Sequence, residues 1–316
     1  MFNNWSRLQN QLIKDLEMTI AAAWVRTLRN CKELIVVSDS RLNGGMKMDC
    51  GQKIITLPRS DAFICFAGDT SWAYPLMHQV ASAIDIYDRY SSRAQDIKEL
   101  KTHILKIFER LREQIHDAIG DMDIPDAKFI FGGYSWIRKK FMIWHITYQK
   151  STNSFRADPA REIYGSPVVF TGDEEHVIVA NAMLREKLKS RGKLDNLEKG
   201  MKNTVKFEWE PFEVIRDMLY KVNESSYEFK NSSIGGAPQI LKIYEHLSSQ
   251  KLGVLWKNRM DSEPNIYLSG RRLTNYGPRD MWILDPEKLI TYNPLKSNPD
   301  KAVSYTHLTL PTIYSV

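Results

Sequence analysis

The residue types in this chain that could do covalent chemistry begin with Thr19, which opens a small and apolar run that ends at Val25. A threonine hydroxyl is a poor nucleophile until a base removes its proton. A free α-amino group titrates at about pH 8 and is held covalently beside the hydroxyl, so an N-terminal threonine carries its own base. Asp39, Lys53 and Gly68 follow in order and offer a carboxylate, an amine and a position where a backbone can approach closely.

Each of these residues also has a purely structural interpretation. Thr19 alone reads as a strand residue, and Gly68 alone reads as a turn glycine. Asp39 and Lys53 alone read as a surface ion pair, which would contribute little to stability. Their order, with strands predicted between them, favours an active site over four unrelated features.

Short apolar strands are predicted to position these residues. Residues 19–25 and 33–37 read as two buried strands, and Asp39 falls at the end of the second one. A short polar side chain there can point back towards the first strand. Residues 53–57 and 62–66 read as a second strand pair.

Helical and strand patterns alternate along the rest of the chain. Apolar residues spaced three or four apart predict helices in residues 71–90, 97–115, 174–188 and 211–222. An aromatic hairpin is predicted at residues 129–148, and His145 within it is interpreted as a sheet-face histidine rather than a ligand. With a strand at 239–244, this order predicts two stacked sheets between helical layers.

The order of Thr19-Ile20-Ala21, Asp39-Ser40-Arg41, Lys53 and Ala67-Gly68-Asp69 resembles the proteasome β-subunit group of N-terminal nucleophile (Ntn) hydrolases. The resemblance covers residues 19–256. It implies an α+β fold, the four-layer αββα sandwich of proteasome-like Ntn hydrolases. Residues 257–302 change in composition and are interpreted as a C-terminal appendage.

The resemblance also implies roles for single residues. Thr19 would supply the nucleophile and its α-amino group the base, while Lys53 would lower the proton affinity of the site. Asp39 would pair with Lys53 and orient it. The backbone N–H of Gly68 would stabilise the oxyanion, and Thr171 stands where the family has a serine.

The supporting part of the site departs from the family pattern. Asn231 replaces an aspartate and keeps a hydrogen-bonding side chain without the charge. Ile234 lacks the family's hydroxyl, for which Ser233 would be the substitute. Three further residues fall near the family's first substrate pocket and imply a preference for an apolar side chain: Ile55, Phe66 and Thr70.

Both ends of the chain carry segments that the sequence sets apart. Residues 1–18 read as a leader or an over-called start, since translation from Met18 would place Thr19 second, where methionine removal exposes its amine. The alternative is an amphipathic helix, with apolar residues spaced three and four apart. Residues 303–316 are interpreted as a translated sequencing adapter, because residues 303–312 follow its codons in order.

Composition narrows the classes of protein to consider. With 43% hydrophobic residues the chain can form a core, and its net charge of +6 is spread over 44 basic and 38 acidic residues. Its three cysteines lack metal-ligand or paired spacing, so neither a zinc site nor a disulfide framework is expected. No other metal and no cofactor are expected. No apolar run is long enough for a membrane span, and a cytoplasmic location is expected.

The sequence leaves three functions open. The first is a threonine amidohydrolase acting on a peptide or a small amide and assembled as a homo-oligomer. The second is a non-catalytic proteasome-like subunit for assembly or binding, which an internal Thr19 would favour. Nucleic-acid binding ranks last, because no basic and aromatic motif supports it, and no membrane partner is expected.

Overall fold

The computed structural model describes residues 19–28, 31–43, 46–114, 125–163, 165–194, 204–227, 232–273 and 280–296. The predicted leader, the adapter-like segment and Asn231 lie outside these residues. Within them the helices are α1 (Thr70–Ile86), α2 (Asp88–Ser91), α3 (Ile97–Arg112), α4 (Glu174–Ser190) and α5 (Glu210–Glu224). No helix in these ranges is long and apolar enough to cross a membrane.

A larger sheet contains ten strands among the described residues. Its main path runs in the order β13-β12-β11-β10-β2-β1-β9-β8, with β14 on β11 and β15 on β14. The strands are β1 (Ile20–Thr27), β2 (Lys32–Ser38), β8 (Glu162–Ile163), β9 (Ser166–Gly172), β10 (Gln239–Tyr244), β11 (Ser249–Trp256), β12 (Asn265–Leu268), β13 (Arg271–Arg272), β14 (Ile283–Asp285) and β15 (Ile290–Tyr292). The parallel pair is β11 with β14.

A smaller antiparallel sheet has the order β3-β4-β5-β6-β7. Its strands are β3 (Ile54–Thr56), β4 (Ala62–Gly68), β5 (Ala127–Ser135), β6 (Lys140–Gln149) and β7 (Ser154–Pro159). The strands predicted around Thr19, Asp39 and Lys53 are therefore present, and they are divided between the two sheets.

Successive side chains of β1 point to opposite faces of the larger sheet, so this strand contributes to two buried clusters. Ile20, Ala22 and Trp24 join a buried cluster with residues of α4 and α5. Ala21 and Ala23 join a different cluster that contains Leu34 and Val36 of β2 and Phe63, Cys65 and Ile130 of the smaller sheet. The other face of the smaller sheet shares a third cluster with α1 and α3. Small alanines on β1 let the two sheets approach each other closely at the strand that begins beside Thr19.

The predicted four-layer αββα sandwich with a C-terminal appendage is wrong. The described part of the chain forms fifteen strands in two mostly antiparallel sheets, and it contains five helices. The segment predicted as an appendage supplies β12 to β15, which extend the larger sheet. The reason is that the second half of β11 leaves β10, and its backbone groups pair with β12 and β14 instead.

Candidate active site

Thr19 directly precedes β1 and has its side chain against Lys53, the residue directly before β3 of the smaller sheet. Lys53 Nζ donates to Thr19 Oγ1 at 2.9 Å. Only 3% of Thr19 is exposed and Lys53 is fully buried, so little water competes for this hydrogen bond. The structure therefore brings the predicted nucleophile and the predicted lysine into direct contact.

Asp39 completes this group. Lys53 Nζ also donates to Asp39 Oδ1 at 2.8 Å, and neither side chain is exposed. In the antiparallel pairing of β1 with β2, Ala21 lies opposite Ser38. Asp39 therefore falls beside Ile20, whose N–H donates to Asp39 Oδ1 at 3.3 Å. Strand register, rather than sequence proximity, joins residues 19 and 39.

Backbone N–H groups hold the other carboxylate oxygen of Asp39. The N–H groups of Arg41 and Gly235 donate to Asp39 Oδ2, each at 3.1 Å. Gly235 belongs to the loop before β10, so that loop reaches the site through its backbone. Fixed donors on both oxygens restrict rotation of the carboxylate, which keeps Oδ1 directed at Lys53.

Burial changes the proton affinities of the lysine and the carboxylate. Burial lowers the pKa of Lys53, while the charge and hydrogen bond of Asp39 act in the opposite direction. Burial also raises the pKa of Asp39, against the effects of Lys53 and the backbone N–H groups. A lysine with a lowered pKa is more readily neutral, and a neutral amine can accept a proton from the Thr19 hydroxyl.

Gln239 is a site residue that the sequence prediction missed. Its Oε1 accepts from the backbone N–H of Lys53 at 3.0 Å. Its Nε2 donates to the carbonyl oxygens of Asp39 at 3.1 Å and Gly51 at 2.6 Å. This buried amide links the segments that carry the carboxylate and the lysine. The only sequence signal was a single polar residue at the start of an apolar strand.

Comparison with known proteins assigns no relative. No family model matches this chain, and no curated protein matches it. Function is therefore inferred from the contacts of Thr19, Lys53 and Asp39.

Gly68 lies at the end of β4, which pairs with β3, the strand that directly follows Lys53. The N–H of Phe66 donates to the carbonyl oxygen of Lys53 at 3.2 Å, two residues before Gly68. Gly68 has φ of +105°, and a Cβ there would collide with the carbonyl oxygen of Asp126. Only glycine fits this position without strain, whatever its chemical role.

Thr171 has a different partner from the other predicted catalytic residues. It lies on β9 opposite Ala21 and is fully buried. Thr171 Oγ1 is 2.8 Å from His145 Nε2. Sequence reasoning treated His145 as a sheet-face histidine and did not connect it with Thr171. The structure makes this histidine part of the surroundings of the site.

The predicted supporting loop is present, but its contact with the site differs from the prediction. Asn231 lies outside the described residues. Ser233 is 5% exposed, and its carbonyl oxygen accepts from Asn43 Nδ2 at 2.8 Å. The backbone of Gly235, rather than the Ser233 hydroxyl, supplies this loop's hydrogen bond to Asp39.

The predicted substrate pocket divides into two kinds of residue. Ile55 and Thr70 are partly exposed. Phe66 is completely buried and packs edge-on against Tyr74, with ring centroids 5.1 Å apart. Its position on β4 turns it towards the cluster shared with α1 and α3. Its ring is therefore a core contact in this structure.

Apart from the contacts of Thr19, the described ranges contain a cavity and three free thiols. No group of three or more His, Cys, Asp or Glu side chains there is placed to hold a metal ion. A cavity of about 470 Å³ is lined by residues that include Leu57, Arg59 and Arg93 and excludes Thr19, Asp39 and Lys53. The three cysteines are free thiols, with Cys65 buried.

Proposed function

We propose that this protein is an N-terminal threonine hydrolase that cleaves an amide bond in a peptide or a small molecule. The observation that carries this proposal is the buried contact of Lys53 with both Thr19 and Asp39, at 2.9 and 2.8 Å. A hydroxyl can be activated when the nucleophile, an amine and a carboxylate are joined by hydrogen bonds, as Thr19, Lys53 and Asp39 are here. The order of motifs shared with proteasome β-subunits supports the same assignment.

The proposed reaction has two steps. Thr19 Oγ attacks the carbonyl carbon of the amide, and its proton passes to a base, either the Thr19 α-amino group or neutral Lys53. The C–N bond then breaks, and the amine leaves with that proton. Water next attacks the Thr19 ester, which releases the acid and restores the hydroxyl. The Gly68 N–H is proposed to bind the oxyanion in both steps.

The α-amino group is a base only if Thr19 is the first residue of the mature chain. We expect the mass of the protein expressed from its natural upstream DNA to correspond to a chain that begins at Thr19. A β-lactone or epoxyketone electrophile should then add its mass to the peptide that starts with Thr19. A chain that retains residue 18 and gives no adduct would contradict the proposal.

A non-catalytic subunit is the second candidate, and one observation favours it. Thr19 is only 3% exposed, whereas a nucleophile must meet its substrate. An unreactive chain that retains residue 18 would support this candidate.

The enzyme is further proposed to be cytoplasmic, consistent with its free cysteines.

The rate of adduct formation should depend on pH in a defined direction. Since burial lowers the pKa of Lys53, the rate is expected to rise with pH along a limb centred below 10.5, the ordinary value for lysine. The charge of Asp39 raises the pKa of Lys53, so Asp39→Asn should move this limb to lower pH. Rates measured from pH 5 to 10 check both statements. A shift to higher pH in Asp39→Asn would contradict the assigned coupling.

A further inference from the structure

Two polar side chains of the smaller sheet face the larger sheet close to Thr19. Lys128 lies on β5 and His145 on β6. Ile130 pairs directly with His145, and Lys128 is two residues from Ile130 along β5, so both polar side chains lie on one face. Ile130 belongs to the buried cluster that also contains residues of the larger sheet. This face is therefore the one between the sheets.

The two side chains bind successive residues at the end of β9. His145 Nε2 lies 2.8 Å from Thr171 Oγ1. Lys128 Nζ donates to the carbonyl oxygen of Gly172 at 2.8 Å. The end of β9 is thus bound by two polar groups that come from the opposite sheet.

Gly172 passes this restraint to Thr19. Gly172 pairs with Ile20 on β1 and has φ of +149°. A Cβ at Gly172 would collide with the carbonyl oxygen of Thr19. The backbones of Gly172 and Thr19 are therefore in close contact, and a shift of one must move the other.

We propose that Lys128 and His145 are positioning residues, together an inter-sheet bridge that fixes Thr171 and Gly172 and so holds Thr19 beside Lys53. The catalytic consequence of the bridge rests on the proposed function, whereas its effect on β9 does not. Misplacement of a reacting group by about 1 Å can cost about 100-fold in rate, which is the scale expected here.

The protonation state of His145 is compatible with a lasting hydrogen bond to Thr171. Burial and then the charge of Lys128 lower the pKa of His145 to about 4, and the charge of Asp158 opposes them. The imidazole is neutral near pH 7, so one ring nitrogen donates and the other accepts. Either tautomer can share a hydrogen bond with the Thr171 hydroxyl.

Hydrogen exchange tests the bridge directly. In Lys128→Met and His145→Leu, exchange in peptides covering residues 166–173 should rise at least about tenfold over the unchanged protein. Peptides from α5, residues 210–224, should keep their protection and report that the chain is folded. Lys128→Arg and His145→Gln, which keep a donor, should restore protection. Exposed Lys98→Met on α3 is the control for loss of a lysine.

Adduct formation at Thr19 tests the consequence of the bridge. Its rate should fall by about 10- to 100-fold in Lys128→Met and His145→Leu and recover in Lys128→Arg and His145→Gln. Unchanged exchange in residues 166–173, or an equal rise in residues 210–224, would overturn the bridge. Local loosening in a protein that forms no adduct even when unchanged would support the bridge and overturn the proposed function alone.

Discussion

Replacing Thr19 with alanine is expected to reduce amide hydrolysis and adduct formation by about 10³-fold or more, because the substitution removes the attacking oxygen. The substitution leaves the buried pair of Lys53 and Asp39 in place and removes one hydrogen bond to the lysine. Its effect on stability should therefore be small beside its effect on rate, about 0.5–1.5 kcal/mol. Rates with an amide substrate and intact mass after electrophile treatment measure the first effect, and urea unfolding measures the second.

Two matched variants test whether the effect of Thr19→Ala comes from the loss of the Thr19 hydroxyl. Thr19→Ser keeps a hydroxyl and should keep adduct formation, and exposed Thr102→Ala on α3 should leave the rate unchanged. If Thr19→Ala hydrolyses the substrate as fast as the unchanged protein, Thr19 is not the nucleophile. If Thr102→Ala also loses activity, the loss in Thr19→Ala cannot be assigned to the missing hydroxyl.

The positions of Thr19, Asp39 and Lys53 at strand ends could be predicted because each lies next to a strand with a clear apolar pattern. Residues 34–37 are continuously apolar, and the observed β2 spans Lys32–Ser38. An antiparallel partner with a short turn then places the residue after β2 beside the first residues of β1. Local pattern and elementary sheet geometry are enough to place Asp39 beside Thr19, whereas the contact of Lys53, which comes from the smaller sheet, was implied by the family resemblance.

The contacts of Gln239 and His145 could not be predicted in the same way. Gln239 binds the backbone of Lys53 across 186 positions of sequence, and His145 meets Thr171 from the opposite sheet. Each partner is set by how two sheets stack. Side-chain alternation indicates which face a residue occupies but not which residue it meets there.

The pocket and the C-terminal segment show two further limits. Alternation along β4 places Phe66 on the same face as Ala62 and Ile64, towards the helices, whereas its assignment to a pocket came from the family resemblance. The segment from 257 onward contains short apolar runs with few core residues. Its strands form because the second half of β11 has backbone groups that β10 does not pair. The composition of the segment itself does not indicate that another strand has unpaired backbone groups.

Replacing Lys53 with methionine is expected to cost about 3–5 kcal/mol of the free energy of unfolding, because it leaves the Asp39 carboxylate buried without its cation. Both side chains are completely buried in the native chain. The same variant should strongly reduce adduct formation, since the side-chain amine that contacts Thr19 Oγ1 is lost. Urea unfolding and the rate of adduct formation measure the two effects separately.

The double variant Lys53→Met with Asp39→Asn separates stability from catalysis. Asparagine at position 39 removes the unpaired buried charge. It keeps a side-chain oxygen that can accept from some of the backbone N–H groups, which are those of Ile20, Arg41 and Gly235. The double variant should therefore be more stable than Lys53→Met alone, with a coupling of about 0.5–3 kcal/mol. It should nevertheless remain far less reactive at Thr19 than the unchanged protein. Recovery of reactivity along with stability would mean that Lys53 acts only by maintaining the fold, whereas recovery of stability alone assigns the lysine to the chemistry of Thr19.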